Sequence, residues 1–438
     1  MRLFFACTLL CALLACRTAP KAPPQSEFQK ASSALQTNKP EEALPILERL
    51  HKQDSSRLEV ARALAEAHVR LGKTQVLLAR LQNDARPVAH YMRGLLLYSQ
   101  PGTAENEALA AFRQAIAAAP QESEFHYRLG IALVELEREA QALEALQTAL
   151  ALAPEKTSWQ LPLAKALFRL GSHEEALAAL HKSSQGVLSP VELYTAKQLM
   201  SALVEEHVPV AAQGVLDEAV QWLNVADVPQ QAIALLEALL MDFPDLATAH
   251  ALLGLAYQKL DDAGRAIEEF QKAISLAPNN GTHHYYLAEL YASKRRPQEA
   301  KREYESAVQK NPFLDNAHLK LGDMALQHSN WILARQHFQT AVYLGNPQAR
   351  LKLALTLQEE KNWAAAEAEF LTLLTQMPDS LELKLRAGVF YAEYFLASSS
   401  SEEKALLRNK ALAQLDAVLE KQPENALASR VKAMLRKP

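Results

Sequence analysis

Glycine is scarce, with 13 residues in a chain of 438. Phosphate-cradling loops and tight β-turns depend on glycine, so a nucleotide-binding α/β enzyme and a β-barrel are both disfavoured. Cysteine is confined to Cys7, Cys11 and Cys16. The chain beyond position 16 therefore has no means of forming a disulfide, a thiolate zinc site or a cysteine nucleophile. Neither sign of charge dominates, with 46 Lys and Arg against 50 Asp and Glu, so no basic nucleic-acid surface is implied and no nucleic-acid partner is expected. Local catalytic signatures are missing as well. HExxH, GxSxG and a Walker loop do not occur, and His173-Glu174-Glu175 lacks the second His of a zinc motif. What is present is apolar residue in quantity, 49% against 22% charged, which is enough to bury a core.

The N-terminus begins Met1-Arg2 and continues as an apolar or small run from Leu3 to Ala15, followed by Cys16. Such a run reaches only about 20 Å as a helix, short of the roughly 30 Å hydrocarbon core of a bilayer. It reads as a signal-peptide h-region behind one positive charge, residues 1–15. Leu13-Leu14-Ala15-Cys16 resembles the lipobox of bacterial lipoproteins. That resemblance implies cleavage before Cys16, a diacylglycerol on its thiol and acylation of the new amino group. It also implies firmer anchorage than one acyl chain provides. The residue after the lipidated Cys is Arg17 rather than the Asp that marks inner-membrane retention in enterobacterial lipoproteins, which points to the outer membrane, facing the periplasm. Pro20, Pro23 and Pro24 make residues 16–25 an extended tether.

Beyond the tether the sequence repeats. Leu253-Gly254, Tyr257, Ala266, Phe270, Ala273 and Pro278 recur 34 positions later as Leu287-Ala288, Tyr291, Ala300, Tyr304, Ala307 and Pro312. Leu321-Gly322, Ala334, Phe338 and Ala341 follow after another 34, and Leu129-Gly130, Leu133, Ala142, Leu146, Ala149 and Pro154 show the same spacing earlier. Small residues at the eighth and twentieth places let two helices approach, large ones fill the space between them, and proline closes the unit. This pattern resembles the tetratricopeptide repeat, a helix-turn-helix unit. The resemblance implies an all-α fold, a right-handed solenoid of about ten or eleven helix pairs. An N-terminal array is expected over 26–188, a phase-breaking helix or linker over 189–212, and a second array over 213–423. In the last unit the alanine of the twentieth place is Ala411, so residues of about 392–411 lengthen the hairpin, with Ser400 and Glu403 at capping-box spacing. Residues 424–438 are expected to cap the stack.

His90, His126, His250, His284 and His318 all fall at the fourth place of their units, where the resembled family often has Trp. Equivalent places in successive units lie a helix pair apart, too far for bonds of about 2 Å to one metal, so these histidines are expected to be packing residues. No metal or other cofactor is expected. In the resembled family the groove is lined by the first helix of each unit. Carried over place by place, that implies a partner-binding surface of Tyr91, Tyr98, Tyr127, Lys165, Phe168, Arg169, Lys259 and Tyr285, bordered by Tyr286 and Lys320. Leu255, Glu289 and Asp323 fall on the same face. Tyrosine and arginine among apolar residues have the composition of a protein-binding surface. The expected function is a membrane-anchored scaffold that binds other envelope proteins, in pilus, secretion or motility machinery, and not an enzyme. The alternative is an accessory subunit of an enzyme that builds envelope polysaccharide or peptidoglycan, whose array would bind the glycan or the synthase; glycan binding would need a continuous strip of exposed aromatics.

Overall fold

The computed structural model describes residues 26–436 other than 101 and 103. The apolar N-terminal run, the lipobox with Cys16 and the proline tether lie outside the described residues. Among the described residues there are 24 α-helices and no strand. They fall into two compact units, one ending at Leu188 and the other starting at Ser189.

The first unit is a run of antiparallel helix pairs: α1 (Glu27–Gln36) with α2 (Pro40–Gln53), α3 (Leu58–Arg70) with α4 (Thr74–Leu81), α5 (Pro87–Tyr98) with α6 (Glu105–Ala118), α7 (Ser123–Glu135) with α8 (Glu139–Leu152), and α9 (Gln160–Arg169) with α10 (His173–Ser183). A single 3-10 turn, Thr157–Trp159, precedes α9. The second unit opens with a helix outside the pairing, α11 (Pro190–Val204). The pairs resume with α12 (Val210–Asn224) and α13 (Pro229–Asp242), α14 (Ala247–Lys259) and α15 (Ala263–Leu276), α16 (Gly281–Ser293) and α17 (Pro297–Lys310). They continue with α18 (Asp315–Gln327) and α19 (Trp331–Tyr343), α20 (Ala349–Glu359) and α21 (Trp363–Gln376), and the long pair α22 (Leu381–Ala397) and α23 (Ser401–Lys421), before α24 (Ala426–Leu435).

Local chemistry sets these boundaries. Ser26 Oγ accepts from the Gln29 N–H at 3.1 Å while the Gln29 side chain accepts from the Ser26 N–H at 2.8 Å, a reciprocal cap that starts α1. Ser189 and Glu192 form the same arrangement at the start of α11, with Pro190 in the first helical position. Turns within a pair share one backbone solution. Asp261, Arg295, Ser329 and Lys361 all have φ between +54° and +63°. The following N–H then bonds a carbonyl one turn back, as from Asp262 to Tyr257 at 3.0 Å and from Asn362 to Leu357 at 2.9 Å.

The core is a column of large residues seated on small ones. Phe270 lies under Gly254 and Phe338 under Gly322, where a β-carbon would come within 2.6 Å and 2.5 Å of the rings. Ala266, Ala300, Ala334 and Ala366 are fully buried at the matching place of the second helix. Gly388 packs instead on Leu415, farther along the chain, because α22 and α23 run to 17 and 21 residues. Their turn is held by Glu403, whose carboxylate accepts from Tyr394 Oη at 2.9 Å and Ser398 Oγ at 2.5 Å.

Candidate functional site

The residues inferred to bind partners separate into three groups. Tyr91 and Tyr127 are interior. The Tyr91 ring lies 5.1 Å from Phe125 and 6.4 Å from Phe112, and its hydroxyl donates to Glu124 at 3.2 Å. Burial and then the Glu124 charge push its pKa far above the ordinary phenol value. Glu124 also takes Arg128 Nε at 2.8 Å and lies 3.6 Å from Arg62, so two guanidinium groups share this one carboxylate. Tyr127 stacks on Trp159 with centroids 4.1 Å apart and is buried. Both rings therefore join neighbouring repeats and offer no surface to a partner. That corrects the expectation drawn from their place in the repeat.

The cations form the second group, and each is already engaged. Lys165 Nζ donates to Glu135 at 2.8 Å, Lys259 Nζ to Asp227 at 2.7 Å and Lys320 Nζ to Glu289 at 3.0 Å. Arg169 donates to the Val134 carbonyl at 2.8 Å and to Glu139 at 3.2 Å. The acid belongs to the preceding repeat in every case. Lys352 continues the ladder to Asp323 at 2.6 Å. These partly exposed pairs are each worth about 0–1 kcal/mol, so a ligand can replace one at little cost.

Half-buried aromatics complete the site. Phe168 stacks on His173, with centroids 5.5 Å apart. Burial, then Glu135 and Glu105, raise the Tyr98 pKa, and Glu135 is also the acid that holds Lys165. In the second unit Tyr285 contacts Tyr286 at 6.0 Å and Tyr304 at 5.9 Å. Its pKa is pushed up to about 12 by burial and then by Glu289. The Tyr304 hydroxyl donates to Glu289, the carboxylate that also holds Lys320. Tyr285, Glu289, Lys320, Asp323 and Lys352 thus form one electrically balanced strip over α16, α18 and α20, with the Tyr304 ring buried beneath it. It presents the half-buried Tyr285 ring, ammonium donors and carboxylate acceptors.

The histidines have a role that their place alone did not reveal. His250 Nδ1 meets Glu269 at 2.5 Å and its Nε2 meets the Pro244 carbonyl at 3.0 Å. His284 Nδ1 meets Glu303 at 2.7 Å, Arg350 pairs with Glu369 at 2.5 Å, and His318 Nδ1 meets His337 Nδ1 at 3.2 Å. Each rung ties the first helix of a pair to the second, and the recurring 19-residue spacing was the available signal. His126 Nε2 meets the Pro120 carbonyl at 2.9 Å, and the buried Nδ1 of His90 has no partner. Among the described residues no group of three His, Cys, Asp or Glu side chains could hold a metal ion. Nor is any described helix long and apolar enough to cross a membrane.

A family model described as tetratricopeptide repeat matches residues 247–280, and a second model with the same description matches 106–155, 127–183 and 285–349. No curated protein matches the chain. Solved structures do. The structure described as YrrB, a TPR protein with an unusual peptide-binding site, is 24% identical; the match covers 45% of this chain and 97% of that one, with a TM-score of 0.39. The APC/C hetero-tetramer Cut9–Hcn1 is 14% identical over 94% of this chain and 97% of the other, with a TM-score of 0.38. A monomeric mutant of IFIT1 with Gppp-AAAA is 17% identical over 89% and 91%, with a TM-score of 0.30.

Proposed function

We propose that this chain, whose helix pairs are tetratricopeptide repeats, is a lipid-anchored scaffold or assembly factor that holds protein partners in the bacterial cell envelope. The observation that carries the reading is the strip built around Glu289. It crosses successive first helices, balances its own charge and combines the half-buried Tyr285 ring with replaceable ion pairs. A protein segment laid across it exchanges in-chain carboxylates and ammonium groups for its own and covers Tyr285, a side-chain type enriched among those that supply most interface energy. Several shallow contacts of this kind add when partner and scaffold are confined together. The anchor is Cys16, acylated and held at the outer membrane on its periplasmic side, with the proline tether spacing the repeats from the lipid. Pilus, secretion and motility machines supply partners of this kind.

One experiment has two arms. Cys16→Ser is expected to move the protein out of the membrane fraction with helicity unchanged, and radiolabelled palmitate still entering the variant would refute the anchor. Lys320→Glu sets a like charge against Glu289 and is expected to reduce capture of cross-linked envelope proteins several-fold; capture equal to wild type would count against the strip.

A further inference from the structure

Residues 190–209 stand outside the repeat register, yet they have partners spread along the second unit. α11 turns Ala196, Leu199 and Met200 inward, with Ala196 fully buried, while Val191 and Tyr194 face solvent. Lys197 Nζ, on the same helix, donates to the carbonyl of Leu344, the residue that ends α19, at 2.7 Å. In the loop after α11 the Glu206 carboxylate accepts from the backbone N–H of Ala247 at 2.7 Å and of Thr248 at 2.9 Å, the first two residues of α14. Val208 then packs on the apolar core formed by α12 to α18.

Paired helices alternate in direction. The starts of α14, α16, α18 and α20 and the ends of α15, α17 and α19 therefore lie along one edge of the stack. The strap follows that edge from α14 to the junction of α19 and α20. Its charges suit the two places it touches. A carboxylate meets the positive end of one helix, and an ammonium meets the negative end of another. Leu246, which precedes α14, supplies no side-chain cap, so the N–H groups of Ala247 and Thr248 depend on Glu206.

The strap does not satisfy everything on this edge. His283, in the first turn of α16, is 5% exposed, and its Nδ1 has no hydrogen-bond partner. Burial drives its pKa down to about 4, and Glu206 is the charge that acts against this. The strap thus leaves one buried nitrogen on this edge without a partner, a group that calls for an explanation.

We propose that this edge of the second unit is a docking site for a helical peptide that carries a lysine and is followed by an acidic residue, and that residues 190–209 are its in-chain occupant, displaced when such a partner arrives. The proposal deepens the interaction reading above and rests on it for its biological role. The strap's tether gives it an effective concentration of about millimolar, so an outside ligand binds more weakly in proportion to how completely the strap is docked. Removing the latch raises the accessible fraction without altering the docking edge.

The probe is a fluorescent synthetic peptide of residues 189–210, titrated into the full chain carrying either the wild-type sequence or Glu206→Ala. Binding to Glu206→Ala is expected to be about tenfold tighter or better. Most of that gain is expected to disappear when the peptide itself carries Glu206→Gln. Backbone amides of 190–206, with those of Ala247 and Thr248 that Glu206 holds, are expected to exchange faster in the variant while the other amides of α14 to α19 keep their protection. Lys197→Ala, which leaves the cap on α14 in place, is the second variant and is expected to shift binding in the same direction. Equal affinity for wild type and both variants, no binding to either variant, or affinity indifferent to the peptide carboxylate would overturn the proposal. Envelope proteins captured by a chain whose strap stays protected would overturn the exchange and leave the broader scaffold reading standing.

Discussion

The His318–His337 rung should make the second unit sensitive to acid. The two Nδ1 atoms lie 3.2 Å apart, and His318 Nε2 faces the Pro312 carbonyl at 3.3 Å. With Nε2 donating to that carbonyl, Nδ1 of His318 is the acceptor, and a second proton on its ring has nowhere to go. Burial and then His337 lower its pKa to about 4, against weaker opposition from the Pro312 carbonyl and Asp315. The unfolded imidazole takes its proton near pH 6.5, so between 6.5 and 4 the unfolded chain binds more protons than the folded one. Stability from this rung is intact above pH 6.5 and falls as pH drops toward 4. At about 1.4 kcal/mol per pH unit the loss approaches about 2 kcal/mol at pH 5 and about 3 kcal/mol at pH 4. His318→Phe keeps a ring in the slot and removes the titrating group. Lost hydrogen bonds cost it about 1–2 kcal/mol at pH 7.5, but its further loss on going to pH 5 should be smaller than wild type's by about 2 kcal/mol. Repeat arrays do not unfold as one unit, so the measurement is native-state hydrogen exchange of α18 and α19 amides at the two pH values. An identical pH decrement in the variant, or a His318 ring proton titrating above pH 6 by NMR, would refute the reasoning.

Two further outcomes follow from the packing and the turns. Gly322→Val places a β-carbon 2.5–2.9 Å from three atoms of the Phe338 ring, and native-state hydrogen exchange of α18 and α19 amides should register a loss of about 2–3 kcal/mol; protection equal to wild type would show that α18 and α19 can separate freely. Lys361 holds φ +57° without the licence that glycine has, so Lys361→Gly should raise the protection of α20 and α21 amides against hydrogen exchange by about 0.5–1 kcal/mol, and protection no higher than wild type would refute it.

The repeat architecture was legible because its steric demands are strict. Only a small residue fits opposite Phe270 or Phe338, and that requirement returns every 34 positions, at Gly254, Ala288 and Gly322. The surface was less legible, for a reason of the same kind. Tyr91 and Tyr127 occupy places that would face a groove, but Phe125 and Trp159 from the following repeat cover them, and Trp159 sits in a 3-10 turn that no repeat pattern announces. Lysines were visible as charges. Their acids lie 29 to 32 residues upstream, as in Asp227–Lys259, Glu289–Lys320 and Asp323–Lys352, a spacing that becomes meaningful only once successive helices are seen side by side.

A repeating sequence writes each nearest-neighbour contact several times, so those contacts can be read from any one copy. A contact made once leaves no such trace. Glu206 reaches Ala247 across 41 residues and Lys197 reaches Leu344 across 147, and neither pairing has a counterpart among the described residues to betray it. The same holds for His318 facing His337 where sister rungs have Glu269, Glu303 and Glu369 as partners. Regular contacts of the stack contribute interchangeable increments of stability. What distinguishes one face of this stack from another must therefore come from the departures: a strap lying across helix ends, a rung that gives way to acid, and a last hairpin lengthened past its neighbours. Substitutions at those three places should change binding or pH response more than they change the fold. Substitutions at the repeating glycine and alanine places should do the reverse.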